Sequence, residues 1–155
     1  MTKLKFWFIA LLCLVVLGWG TIVEASVFHF SGTRPANLGI TNGKLLGCPP
    51  SPNCVSSQSD DFHQIEPLHY TTDRGTALDK LTAVIKSLPN TEIITTKDDY
   101  IYSEFTSAFM GYVDDVEFYA PIDRKTIEVR SASRLGESDL GVNRQRIETI
   151  RALFE

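Results

Sequence analysis

The stretch Val113-Asp-Asp-Val-Glu-Phe-Tyr-Ala120-Pro-Ile-Asp-Arg124-Lys-Thr-Ile-Glu-Val-Arg-Ser131 decides the fold. Apolar and polar residues alternate on both sides of residues 121–124, a pattern typical of two antiparallel strands joined by a turn. Val116 and Phe118 share one face of the first strand, so this face can receive helices. The stretch therefore predicts a β-hairpin with one apolar and one polar face.

The register of this hairpin depends on the length of its loop. If residues 121–124 form the whole loop, Asp115 lies directly across from Arg130 on the polar face. A slip of one residue would turn charges into the core, whereas a slip of two would pair Glu117 with Arg130. In either register Arg130 has an acidic neighbour.

The remaining elements follow from periodicity and from breakers. Asp73 can cap a helix that runs to about Leu88, where Pro89 stops it, and a second helix covers residues 142–154. Further strands are predicted at residues 65–71, 91–97 and 100–107. We expect an α+β fold with an antiparallel sheet of about five strands and two helices on one face, in the order β-α-β-β-β-β-α. Residues 45–155 form this single domain, and a loop-rich, extended arm precedes it at residues 26–44.

The N-terminal segment predicts export. Lys3 and Lys5 precede an uncharged apolar run at residues 6–23, and the small residue Ala25 offers a signal-peptide cleavage site. The competing interpretation of residues 1–25 is an uncleaved N-terminal anchor, because a span of 18 uncharged residues is at the lower limit for crossing a bilayer. Either interpretation places the rest of the chain outside the cytoplasm, in a periplasm, a thylakoid lumen or the extracellular space, with membrane attachment through residues 6–23 in the second case.

Cys48 and Cys54 are the only cysteines beyond this segment. In an oxidising compartment, two cysteines in a proline-rich loop predict a disulfide. A metal site and a redox-active thiol pair are the alternatives, although the spacing to His63 and His69 matches no zinc pattern. No cofactor or metal site is predicted.

The arginine-rich stretch at residues 130–146 is the candidate site. A strand is followed by a Ser/Gly loop and then by the start of a helix, where free N–H groups and guanidinium groups bind anions well. The expected ligand-binding residues are Arg130, Ser133, Arg134, Asn143 and Arg144. The alternative is a network of salt bridges between these arginines and Asp114, Asp115 and Glu117 on the neighbouring strand.

Three motifs resemble the domain-of-unknown-function family numbered 1499, over about residues 45–154. They are Cys-Pro-x-Ser-Pro-Asn-Cys-Val-Ser-Ser-Gln at 48–58, Gly-Tyr-Val-Asp-Asp-Val-Glu-Phe-Tyr at 111–119, and Val-Arg-Ser-Ala-Ser-Arg followed by Asp-x-Gly-x-Asn-Arg at 129–144. The family occurs in bacteria, including photosynthetic ones, and in plants, and the resemblance implies no activity and no catalytic residue.

The sequence favours a binding or accessory module over an enzyme. The mature chain carries a net charge of −5 and no long basic run, so nucleic acid is not an expected partner. We expect the module to recognise an anionic ligand or a protein partner. One alternative is a hydrolase-like enzyme that uses the polar Arg/Ser/Asp/Asn cluster, although Ser56, Ser57, His63 and the aspartates Asp60 and Asp61 lie in no known hydrolase motif. The other alternative is a structural protein of the cell envelope.

Overall fold

A computed structural model describes residues 29–155 of the chain, so the predicted export segment lies outside the described residues. The strands are β1 (Cys54–Ser56), β2 (Leu68–His69), β3 (Thr91–Thr96), β4 (Tyr100–Thr106), β5 (Val113–Tyr119) and β6 (Thr126–Ser133), and the helices are α1 (Arg74–Ser87) and α2 (Val142–Phe154). Within residues 29–155 the fold is α+β with two helices, as predicted, and the sheet has six strands.

The predicted hairpin forms the middle of this antiparallel sheet. The strand order is β1-β6-β5-β4-β3, and the short β2 pairs with the beginning of β6. Glu117 pairs with Arg130 and Phe118 with Val129, so the register with Asp115 across from Arg130 is wrong by two residues. The reason is that the connection between β5 and β6 is longer than the four residues 121–124. Pro121 has no N–H to extend the ladder, and the Ala120 N–H donates instead to the Asp99 carbonyl at 2.8 Å.

Both helices pack on one face of the sheet, and the main hydrophobic core lies between the sheet and the helices. The Asp73 side chain caps α1 by accepting a hydrogen bond from the Thr76 N–H, as predicted. Leu81 and Ile85 of α1 and Ile147 of α2 are fully buried in the same cluster as the apolar residues of the hairpin. Within residues 29–155, no helix is long and apolar enough to cross a membrane.

The arm covers the second face of the sheet. Leu38, Ile40 and Leu45 pack against Tyr100 and Tyr102 of β4. The arm therefore covers the polar face of the hairpin, which is enclosed rather than exposed to water. This placement determines the environment of every charged residue on that face.

Candidate functional site

The enclosed face contains a buried charge cluster that joins the arm to the three strands β4, β5 and β6. Glu117 is inaccessible to solvent, and Asp115 and Arg130 are nearly so. The cluster pairs four carboxylates with four guanidinium groups: Glu104, Asp115, Glu117 and Glu128 with Arg34, Arg124, Arg130 and Arg134. Buried charges persist only when they are compensated in this way.

Arg134 lies at the centre of this cluster. Its Nε donates to both carboxylate oxygens of Asp115, at 3.1 and 3.0 Å, and one terminal nitrogen lies 2.7 Å from Asp115 Oδ1. The same nitrogen donates to the Tyr102 hydroxyl at 3.2 Å and to Glu104. Hydrogen bonds to Asp115 are the main reason that the pKa of Arg134 is raised. The side chain is only 6% exposed, so a ligand would have to displace these partners.

Arg130 has fewer partners than Arg134. Its terminal nitrogen lies 3.4 Å from Glu117 Oε2, and its Nε has no hydrogen-bond partner among the described residues. Burial lowers the pKa of this guanidinium, opposed by the charge of Glu117. Glu117 in turn accepts hydrogen bonds from the Gly39 N–H and the Tyr100 hydroxyl, both at 2.7 Å. The arm is thus bonded directly to the buried ion pair.

The pKa values of Tyr100, Tyr102 and Glu104 are shifted away from neutral pH. Burial, together with hydrogen bonds to carboxylates, raises the pKa of Tyr100 and of Tyr102 well above the usual range. Burial acts to raise the pKa of Glu104, but hydrogen bonds from Arg34, Tyr102 and Arg134 prevail and lower it to about 2. A general acid or base would need a pKa near the working pH. The pKa values of these three groups are therefore poorly matched to acid or base catalysis at neutral pH.

A second polar cluster lies beneath the start of α2. The side chain of Asn143 is fully buried, and its amide nitrogen donates to the Asn53 carbonyl at 3.1 Å and to the Ser133 hydroxyl at 3.0 Å. Its amide oxygen accepts from the Ser131 hydroxyl and from Arg146, which also pairs with Asp114. Asn143 thus bonds β6 and the loop before β1 to α2.

The N-terminus of α2 already has an anionic partner. The carboxylate of Asp139 accepts hydrogen bonds from the N–H groups of Gly141 and Asn143, at 3.0 and 2.8 Å. Burial acts to raise the pKa of Asp139, but these hydrogen bonds lower it. Arg144, in the first turn, is exposed and donates to the Phe62 carbonyl at 3.2 Å.

The five residues predicted to bind a ligand therefore fall into three groups. Arg130 and Arg134 belong to the buried charge cluster, Ser133 and Asn143 belong to the cluster beneath α2, and Arg144 lies on the surface. The salt bridges Arg130–Glu117, Arg134–Asp115 and Arg146–Asp114 are present, as the alternative interpretation expected. Ligand binding by these five residues stays a prediction.

The disulfide between Cys48 and Cys54 is present. Beside it, the ring of buried His63 bonds through Nδ1 to Asp61 at 2.8 Å and through Nε2 to the Ser51 carbonyl at 3.1 Å. Ser57, by contrast, donates its hydroxyl to Glu128 at 2.7 Å. Of the residues considered for a hydrolase-like site, His63 and Asp61 thus form a hydrogen bond, whereas the Ser57 hydroxyl bonds to Glu128 instead. Among residues 29–155, no group of three or more His, Cys, Asp or Glu side chains is arranged to hold a metal ion.

One end of the domain exposes apolar side chains that the sequence analysis did not single out. We call it the apolar end; it consists of Phe30, Phe109, Tyr112, Leu135, Leu140 and Val142. These are six of the nine large apolar residues that are exposed in the described part of the chain. Leu140 is 94% and Phe109 is 85% exposed, and Leu140 has a left-handed φ of 55°, which a leucine rarely adopts.

A groove of about 370 Å³ opens in the middle of the apolar end. Its rim includes Phe30, Tyr112, Leu135 and Val142, and the rings of Phe30 and Tyr112 stack at 5.3 Å. Its polar lining contains hydroxyls and two carboxylates: Ser107, Ser133, Ser138, Asp114 and Asp139. Of the residues predicted to bind a ligand, Ser133 lines this groove.

The comparisons with known proteins identify the family. No curated protein and no solved structure gives a significant match to the chain. The family model described as "Protein of unknown function (DUF1499)" matches residues 44–154, which include both helices, all six strands and the disulfide. The chain therefore belongs to the DUF1499 family, as the three sequence motifs predicted.

Proposed function

We propose that this protein is an exported, non-catalytic binding module that contacts its partner through the apolar end. The observation that carries the proposal is the concentration of exposed apolar side chains around one groove. Contiguous apolar surface on a soluble domain marks sites of contact with proteins, membranes or ligands. Of the other exposed large apolar residues, Ile122 follows the opposite end of β5, Leu153 lies in the last turn of α2, and Phe62 lies beside Arg144.

Export is part of the proposal and rests on two features. The chain begins with the basic and apolar pattern of an export segment, and the domain contains a disulfide between Cys48 and Cys54. Disulfides persist in oxidising compartments such as a periplasm, a thylakoid lumen or the extracellular space. Both features are consistent with any of these three locations.

The chemistry of the groove favours a neutral or hydrogen-bond-donating partner over an anion. Two carboxylates, Asp114 and Asp139, line the groove, and the guanidinium group of Arg146 is already paired with Asp114. An anion would meet like charge there. Arg144 is the predicted ligand residue best placed to contact an anion, because its guanidinium group is exposed.

A photo-cross-linking residue placed at the apolar end tests the proposal. Benzoylphenylalanine at Phe109 or Leu140 should form adducts with a partner in intact cells that make the protein. The control is the same residue at Ile122, which is 86% exposed and lies beyond the opposite end of β5. Equal yields at the three positions, or no adduct at Phe109 and Leu140, would show that this end contacts no specific partner.

A second experiment addresses the predicted anion site separately. A ligand that prefers the folded state raises its apparent stability. If Arg144 contributes to an anion site, inorganic phosphate should raise the Tm of the wild-type chain and should not raise that of Arg144→Ala. Identical shifts in both proteins would exclude Arg144 as a phosphate ligand.

A further inference from the structure

The disulfide loop, residues 48–54, is bonded to one wall of the groove. Its Asn53 carbonyl accepts hydrogen bonds from the Ser133 N–H at 3.0 Å and from the side-chain amide of Asn143 at 3.1 Å. The Asn53 side chain donates to the Gly136 carbonyl at 2.6 Å. Ser133 and Gly136 both line the groove. The disulfide loop therefore holds this wall of the groove in place.

The part of this wall at residues 135–137 has few other attachments. In the part of the chain that the structure describes, the bond from Asn53 to Gly136 is the one hydrogen bond that reaches these three residues. Leu135 and Glu137 are exposed, and the segment lies in no helix or strand. A segment with few hydrogen bonds and much exposed surface opens locally at low cost. Its position thus depends on the disulfide loop.

The disulfide loop depends in turn on its covalent closure. Three of its seven residues are prolines, which have no N–H to donate, so few backbone hydrogen bonds can hold it. The ring of His63 contacts the middle of the loop, with Nε2 at 3.1 Å from the Ser51 carbonyl. A cross-link across a loop this short favours the closed form over the open form roughly 30-fold. Breaking the cross-link should therefore free Asn53, which directly precedes Cys54.

The two cysteines of the disulfide differ in access to solvent. Cys54 is only 3% exposed, whereas Cys48 is half-buried, so an external thiolate reaches Cys48 Sγ first. The attack forms a mixed disulfide with Cys48 and expels Cys54 as a thiolate, which takes up a proton. The second thiol of a dithiol reductant then closes the reductant's own disulfide and releases Cys48, which is protonated in turn. The dithiol is thereby oxidised and both protein sulfurs are reduced.

We infer that the Cys48–Cys54 disulfide is a redox-sensitive clamp on the groove. Reduction by a dithiol frees the disulfide loop, releases Gly136 from Asn53 and loosens the wall that carries Leu135 of the apolar end. Binding at the apolar end therefore requires the oxidised form of the protein. This inference rests on the proposed function, because it names the regulation of the same surface.

Hydrogen exchange on the full chain, measured for single amides by NMR, tests the clamp. Cys13→Ala removes the third cysteine, and exchange is measured before and after reduction with dithiothreitol. The Ser133 amide, which donates to Asn53, should exchange roughly 30-fold faster in the reduced chain. The reference is the Ala120 amide, which donates to the Asp99 carbonyl at the opposite end of the sheet. The exchange rate of this reference should change by less than about threefold.

Two exchange results would overturn the clamp. An unchanged rate at Ser133 would show that the disulfide loop keeps its place without the cross-link. Equal acceleration at Ser133 and Ala120 would show that the disulfide stabilises the whole domain, with no particular effect on the groove.

Cross-linking in intact cells separates this inference from the proposed function. In the Cys13→Ala chain, Cys48→Ser together with Cys54→Ser removes the disulfide, and benzoylphenylalanine at Phe109 should then lose most of its adducts. The Ala120 amide shows whether this variant is folded, and a globally unfolded variant would contradict a clamp that acts on the groove alone. Equal adduct yields with and without the disulfide would overturn the regulation and leave the proposed function standing. No adduct even with the disulfide in place would refute the proposed function instead.

Discussion

Replacing Arg134 by alanine should destabilise the domain, because it removes the main cation from buried Asp115 and one of two cations from half-buried Glu104. Asp115 is 2% exposed and loses three contacts with the guanidinium group, while Glu104 is 12% exposed and loses one. Removing one partner of a buried ion pair costs about 3–5 kcal/mol. Asp115 retains the Tyr102 hydroxyl at 2.6 Å and Glu104 retains Arg34, so the lower end of this range applies.

The assay is thermal unfolding of Arg134→Ala beside Arg144→Ala. A loss of about 3 kcal/mol corresponds to roughly 10 °C in Tm for a domain of this size. Arg144→Ala removes the same charge from an exposed position, so its free energy of unfolding should change by less than about 0.5 kcal/mol. If the two variants have the same Tm, the buried charge cluster does not stabilise the folded domain.

The same variant also tests the acid dependence of stability. The pKa of Glu104 is about 2 in the folded protein and 4.5 in its ordinary state. A carboxyl group with a lowered folded pKa stabilises the protein fully above its unfolded pKa, and this stabilisation is lost as the pH falls through the folded pKa. Arg134→Ala should therefore show a shallower loss of stability between pH 5 and pH 2 than the wild type, and an unchanged slope would contradict the pairing with Glu104.

Three further predictions concern other parts of the chain. Asn143→Ala should cost about 3 kcal/mol in unfolding, because it leaves several buried hydrogen-bond partners unsatisfied, and a cost below about 1 kcal/mol would contradict its place beneath α2. Cys48→Ser should cost about 2 kcal/mol, as expected for opening a short loop, and non-reducing mass spectrometry of the native protein should find no free thiol at Cys54. Mass analysis of the native protein should find an N-terminus at Ser26, whereas an intact Met1 in the membrane fraction would establish the anchor instead.

The sequence predicted the elements whose signals are local. Asp73 and Pro89 bracket α1, and the apolar spacing of α2 gives its bounds of residues 142–154. The hairpin was equally clear, but its register was wrong by two residues. The alternation of apolar and polar residues is the same when the strand pairing shifts by two residues. Only the length of the loop distinguishes the two registers.

The covering of the polar face could not be predicted, since its signals are distant and weak. Leu38, Ile40 and Leu45 show no periodicity, and their partners Tyr100 and Tyr102 lie more than fifty residues away in the chain. Without the arm, the polar face of the hairpin resembles an ordinary solvated surface. The alternative interpretation of the arginines as salt-bridge partners nevertheless followed from the acidic residues on the neighbouring strand.

The apolar end was missed for a different reason. Leu135 and Leu140 are isolated apolar residues in loops, Phe109 lies in a short bend, and scattered apolar residues are normal on a protein surface. Only the fold brings the arm, the turn between β4 and β5 and the loop before α2 together at one end. A leucine in a loop between Asp139 and Gly141 carries no sequence signal that it will be 94% exposed.

The most direct test compares Arg134→Ala with Leu140→Asn, using melting curves and the cross-linking yield of benzoylphenylalanine at position 109. Asparagine tolerates the left-handed backbone of Leu140, so Leu140→Asn should keep the wild-type Tm and lose most of the cross-linking. Arg134→Ala should lose about 10 °C in Tm and keep its cross-linking at temperatures where it is folded. The account is contradicted if Arg134→Ala keeps its Tm and loses cross-linking, because the arginine would then bind the partner and the apolar end would not.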